Sequence, residues 1–123
     1  MAGKTVVYFP DSRGETLALA FLLTLSQDEQ QKALGYVSYL AEQGEQLRRP
    51  IAEYLGDKVY ELRPKQIRIL YAFVGQYAVI LHAFRKKTGA VPPRDKRLAQ
   101  ARLEDFVRRY KQGLITFNKR QER

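Results

Sequence analysis

The chain has 123 residues, enough for one domain with a real core, and no cysteine, which excludes disulfide scaffolds, cysteine-ligated metals and thiol nucleophiles. Lysine and arginine total 22 against 13 acids, and the net charge of +9 is unevenly spread: residues 1–84 carry 9 bases and 9 acids, residues 85–123 carry 13 and 4. A polyanionic partner, nucleic acid or acidic protein, is the natural inference, with a merely solubilising basic tail as the alternative.

Residues 4–9 (KTVVYF) are β-prone and are closed by Pro10. Asp11, Ser12 and Gly14 supply turn chemistry, and Asp11 or Ser12 could cap a first helix over residues 15–25, striped by Leu17, Phe21 and Leu25. Ser26 with Glu29 three residues on is a capping-box signature. It opens a second helix to about residue 43, with Leu34, Val37, Leu40 and Ala41 on one face and Gly44 as its stop. Residues 45–57 read as a connection, broken at Pro50 and turned at Gly56-Asp57. The longest apolar run, residues 17–25, is too short to cross a bilayer and follows acids rather than a basic stretch. No signal peptide or membrane association is expected, and a cytoplasmic location is the default.

Residues 58–87 are the organising stretch. Three strand-length runs, 59–63, 67–73 and 77–84, are rich in Val, Ile, Tyr and Phe and are separated by turns short enough to force antiparallel hairpins. In the middle run Ile67, Ile69, Tyr71 and Phe73 point one way, and Arg68, Leu70 and Ala72 the other. Arg68 is therefore expected off the aromatic core, on a sheet face that a partner can reach. Arg63, Lys65, Arg68, Arg85, Lys86 and Lys87 form a basic rim around this meander. Two prolines at 92 and 93 then precede a helix over residues 94–111, striped by Ala99, Leu103, Phe106 and Tyr110 and ended by Gly113. The expected fold is α+β in the order β-α-α-β-β-β-α: an N-terminal strand, a helix pair, a three-strand antiparallel meander and a C-terminal helix. One sheet face packs on the helix pair and the other stays open. Residues 1–113 form the domain and 114–123 a basic, frayed or partner-bound tail.

The scattered glycines make no phosphate loop. His82 is the single histidine, and within VILHAF it reads as a strand histidine. Asp57 and Glu61 are the acids of the sheet region, and Glu61-Leu62-Arg63 with Pro10-Asp11 is only a faint shadow of a metal-dependent nuclease pattern. No metal and no cofactor are expected. The basic rim beside tyrosines suits a phosphodiester chain, because arginine grips phosphate through two bonds and lysine adds a point charge. The alternative is a charged sheet edge that prevents aggregation.

The segments YELR at 60–63, IRILY at 67–71 and LHAFRKKT at 81–88, within residues 47–95 and behind a helix pair, carry a resemblance. The chain resembles the RelE/ParE superfamily of toxins from bacterial toxin–antitoxin systems, and within it the HigB-like, phage-related branch, over about residues 4–110. The resemblance implies a RelE-like domain that enters the ribosomal A site and cuts mRNA without a metal, by attack of a ribose 2′-OH on the adjacent phosphate. It implies Arg68 as transition-state phosphate ligand, Lys86 as phosphate or leaving-group contact, and Glu61, where other members have a lysine, as candidate base. Arg63, Lys65, Arg85, Lys87, Tyr71 and His82 are the implied RNA-binding residues. The implied partners are mRNA on the ribosome and a cognate antitoxin of helix-turn-helix type. Prolines 92 and 93 stand where other members carry an aromatic or imidazole group, which keeps a second class open: a ParE-like gyrase inhibitor, or an inactive antitoxin-binding remnant.

Overall fold

The structure is a computed structural model in which residues 3–87 and 89–115 are described. The elements are β1 (Thr5–Tyr8), α1 (Leu17–Leu23), α2 (Gln27–Gln43), a 3-10 turn (Gly44–Gln46), β2 (Ala52–Gly56), β3 (Val59–Leu62), β4 (Ile67–Val74), β5 (Tyr77–Arg85) and α3 (Pro93–Lys111). The fold is α+β, and the strands form one mixed sheet in the order β1-β5-β4-β3-β2. β1 runs parallel to β5, and the other neighbours are antiparallel. No helix among the described residues is long and apolar enough to cross a membrane.

The stretch around residues 58–87 forms as its alternation predicts, with one strand more than expected. Segment 52–56, read from sequence as connection, is the edge strand β2 paired on β3. Its alternation is weak, and a strand at a sheet edge needs only one apolar side. Gly75, at φ 57°, takes the first central position of the two-residue loop between Val74 and Tyr77, where a type II′ hairpin requires positive φ. A Cβ there would also lie 2.9 Å from the Tyr110 hydroxyl.

The open sheet face is the second correction. Ile67, Ile69, Tyr71 and Ile80 pack with Leu22, Val37 and Leu40 of the helix pair. Leu70, Ala72, Val79 and Leu81 on the opposite face pack with Ala99, Leu103 and Phe106 of α3. The central strands are thus buried on both sides, which explains why β4 and β5 read as near-continuous apolar runs. A bulge shifts the β4–β5 register between Leu70 and Tyr71, where Leu70 faces His82 and Tyr71 faces Ile80. The extra residue in β5 aims Leu81 and His82 to the same side, toward α3.

The helix limits differ where local chemistry differs. Ser26 accepts from the Glu29 N–H at 3.3 Å, so α2 starts as the capping signature predicts. α1 is shorter than expected and has no side-chain cap. Asp11 instead accepts from the N–H groups of Arg13 and Glu15, both at 2.9 Å, and closes the preceding turn. Its buried face carries Ala18 and Leu22, while Leu17 is 45% exposed. On α2 the inward residues are Ala33, Val37 and Leu40, with Leu34 outside. Gly113, at φ 71°, ends α3, and Ile115 packs against the second core cluster. The rest of the expected tail lies outside the described residues.

The helix-pair core can be checked by truncation. Leu22→Ala removes a fully buried side chain and should cost about 3 kcal/mol in urea unfolding, within the range for buried leucines. Leu17→Ala should cost less than about 1 kcal/mol, as surface changes do. Equal losses would return Leu17 to the core.

Candidate functional site

The sheet register lays polar residues across the α3 side beyond the apolar packing. Glu53 faces Glu61, Glu61 faces Leu70, and Leu70 faces His82, so two acids and the histidine share one row. In the next row Arg68 faces Phe84, and Arg63 follows directly on β3. Except for Arg63, which follows β3, these positions are fixed by strand pairing rather than by a loop.

Arg68 is the one charged residue of β4, and it is 6% exposed. Its Nη1 donates to the carbonyls of Lys65 at 2.9 Å and Ile67 at 2.8 Å. Burial pulls its pKa below the ordinary arginine value, nearby Arg63 adds to this, and the negative charge of Glu61 opposes it. An arginine keeps its charge through such a shift. With Phe84, Lys86, Lys87, Gly89, Ala90, Val91 and Pro92 it lines a recess of only about 10 Å³, room for one water or one phosphate oxygen. The expected solvent-facing Arg68 is thus corrected: α3 and the chain leading into it cover that face. Its replacement will cost stability, because two carbonyls lose a charged donor.

Glu61 is 3% exposed. Arg63 Nη1 holds its Oε1 at 2.6 Å and reaches Glu53 Oε1 at 3.2 Å. Glu61 Oε2 is buried without a hydrogen-bond partner. The arrangement is a carboxylate with one oxygen fixed and one spare, close to two guanidinium groups.

His82 Nε2 lies 2.7 Å from Asp95 Oδ1, joining β5 to the first turn of α3. Burial lowers the His82 pKa, and the hydrogen bond to Asp95 only partly opposes this. The neutral ring therefore donates from Nε2 to the carboxylate and leaves Nδ1 as an acceptor, a tautomer assigned from its partner. The ring stacks on Phe84 at 5.2 Å.

The expected residues thus separate into groups. Arg68, Lys86 and Lys87 share the recess, and Glu61, Arg63 and His82 adjoin it along the register. Tyr71 does not join them. It is 1% exposed on the opposite face, stacked on Tyr60 at 5.3 Å, and burial pushes its phenol pKa up. It offers no surface to RNA. Lys65 sits exposed at the turn tip, beside Asp28, Gln31 and Lys32 rather than the recess. Arg85 is turned away: it donates twice to Glu29, at 2.6 and 3.1 Å, and ties the end of β5 to the start of α2. Asp57 pairs with Lys96, and Asp11 is spent in its turn, so neither stands with Glu61. Sequence reasoning missed Glu53 and Asp95, the partners of Arg63 and His82. Only the three-dimensional pairing reveals them, although Asp95 does stand where the two prolines announce a helix.

The family model described as "Phage derived protein Gp49-like (DUF891)" matches residues 20–104, more than half of the chain and the whole of this row arrangement. No curated protein matches the chain.

The Arg85–Glu29 tie yields a pH prediction. The hydrogen bonds from Arg85 hold the Glu29 carboxyl near a pKa of about 2, below its ordinary 4.5. A depressed carboxylate stabilises the fold fully above pH 4.5 and loses that contribution as pH falls through about 2. The Tm difference between wild type and Glu29→Gln should be constant at neutral pH and shrink across that window. A difference unchanged down to the acid end would remove the ion pair from the stability of the fold.

Proposed function

The chain belongs to the phage-derived Gp49-like family, a toxin-like family of the RelE clan, and on that premise we propose that it is the toxin of a toxin–antitoxin pair and cuts mRNA on the ribosome, as HigB-like members do. The observation that carries this reading is the Arg68 guanidinium, held by two carbonyls at the floor of a recess walled by Lys86 and Lys87.

The reaction needs three things. A base takes the 2′-OH proton, the 2′-oxygen bonds to phosphorus as the bond to the 5′-oxygen breaks, and a donor protonates that leaving oxygen. Cations must carry the charge that builds on the phosphorane. Arg68 fits that last role because its orientation is set before substrate arrives. Lys86 is the nearest candidate to protonate or neutralise the leaving oxygen. Glu61, with its unpartnered Oε2, and His82, with its free Nδ1 lone pair, are the two proton acceptors in the neighbouring row. Arg63 orients Glu61. The antitoxin in this reading is a small helix-turn-helix protein whose acidic segment lies over the cations.

The recess itself favours a second reading. At about 10 Å³ it admits one phosphate oxygen and no more, and Pro92 lines it where an aromatic or imidazole group is expected. A ParE-like gyrase inhibitor or an antitoxin-binding remnant needs no open cleavage site.

Primer extension on mRNA translated by purified ribosomes decides between them. Arg68→Ala should lose about a hundredfold in cleavage, the ~3 kcal/mol of a preorganised donor. Arg68→Lys should recover part, since an ammonium cannot grip two oxygens in one plane. Both should melt below wild type, so the assay runs well under the lower Tm. A folded Arg68→Ala protein that cleaves at the wild-type rate would exclude Arg68. An inactive wild type that traps gyrase–DNA complexes in cells would promote the second reading.

A further inference from the structure

The ion pairs sort the excess charge. Arg63 is held by Glu61 and Glu53, Arg85 by Glu29, Arg49 by Glu53, Lys96 by Asp57, and Arg108 and Arg109 by Asp105. Arg102 gives its Nη1 to the Leu81 carbonyl and lies over the Phe9 ring. Two of the cations expected to grip a polyanion, Arg63 and Arg85, are therefore already neutralised within the fold.

What remains is scattered except at one place. Among the described residues, Lys32, Lys58, Lys65 and Lys111 stand apart from one another or from the recess, whereas Lys86, Lys87, Arg94 and Arg97, which likewise make no ion pair and no side-chain hydrogen bond, lie where β5 hands over to α3. Lys86 and Lys87 wall the Arg68 recess together with Val91 and Pro92, and Pro92 is the residue from which α3 starts. Arg94 and Arg97 follow on the first two turns of α3, both exposed, three residues apart and so on one face. The one acid of that first turn, Asp95, is taken by His82. Further along the same face stand Ala101 and Glu104, both exposed, where the positive run stops. The four cations thus form a short ridge with a defined beginning at the recess and a defined end after the second helical turn.

We propose that Lys86, Lys87, Arg94 and Arg97 are a phosphate track for single-stranded RNA, leading the strand from the Arg68 recess onto the first two turns of α3. The choice of RNA rests on the mRNA-cleaving reading; the track itself rests on the ion-pair pattern. A single row of cations beside one recess suits one phosphodiester backbone. Lysine and arginine on such a row bind phosphate regardless of sequence, release counterions, and position the strand without reading bases. Arg94 and Arg97 act on a helix anchored by the His82–Asp95 bond and by the Phe106 core, so their spacing is fixed before RNA arrives.

The test is salt-dependent binding of a fluorescein-labelled, unstructured oligouridylate to the full chain, read by anisotropy. For single strands the slope of log K against log salt is about −0.7 per phosphate contacted, so Arg94→Gln/Arg97→Gln should flatten it by about 1.4. Arg94→Lys/Arg97→Lys should keep the wild-type slope, since the charge stays. Lys32→Gln/Lys58→Gln removes the same charge from exposed positions off the ridge and should leave the slope unchanged. Equal flattening by both glutamine pairs, or none by the ridge pair, would overturn the track. So would a ridge pair that loses duplex DNA or an oligoglutamate while holding RNA as before, which would assign the ridge to DNA or to an acidic protein. A wild type that fails to cut mRNA yet shows the ridge-specific slope would sink the cleavage reading and leave the track standing.

Discussion

The structure depends on one constraint: β4 and β5 pair from Val74–Tyr77 to Ile67–Arg85 and are buried on both faces. Two-sided burial permits almost no polar side chain along these strands. Arg68 is the charged exception in β4, and its position is unforgiving. A guanidinium in such a place is costly unless it is bonded and balanced. Two carbonyl acceptors and the nearby Glu61 charge meet that condition. A slip of one residue would drive the charge into the Ile69–Tyr71 core, so the pairing register and the site are the same fact.

That constraint also connects the fold to α3. The helix's apolar stripe of Ala99, Leu103 and Phe106 closes the second sheet face and brings its first turn to the end of β5. The bulge at Leu81 and His82 then matters for chemistry, because it turns the histidine toward Asp95 rather than toward the helix pair. Glu61, Arg63, Arg68 and His82 come together on neighbouring strands, while Lys86, Lys87, Arg94 and Arg97 border them from the chain that enters α3. Buried groups with fixed geometry thus lie beside cations that no acid of the fold neutralises. That division is what an anchored phosphate ligand and a sequence-tolerant backbone contact require.

Much of this was legible in the sequence where the signal is local. The alternation of residues 67–73, the Ser26–Glu29 cap, Gly75 in its hairpin and the two prolines before α3 each state a local preference, and each forms. The failures lie where distant segments decide. β2 has no strong period of its own and exists because β3 offers an edge. Arg68 is covered, not solvent-facing, because the α3 stripe needs a sheet face and the helix pair already occupies the other one. The pairing of Arg85 with Glu29 spans 56 positions, and that of His82 with Asp95 needs the bulge. The RNA contact that the resemblance implies for Tyr71 conflicts with its own alternation, which places it with Ile67 and Ile69 in the core.

The central claim is that Arg68, though built into the fold, is the group that meets the phosphate. Side-chain ¹⁵N NMR of the Arg68 guanidinium during titration with a 2′-O-methylated oligoribonucleotide tests it most directly, because the blocked 2′-oxygen allows binding without cleavage. The account predicts that the Arg68 Nε–H resonance shifts in step with the Lys86 and Lys87 side chains. It is contradicted if those lysines shift to saturation while the Arg68 resonance stays where it is in the free protein.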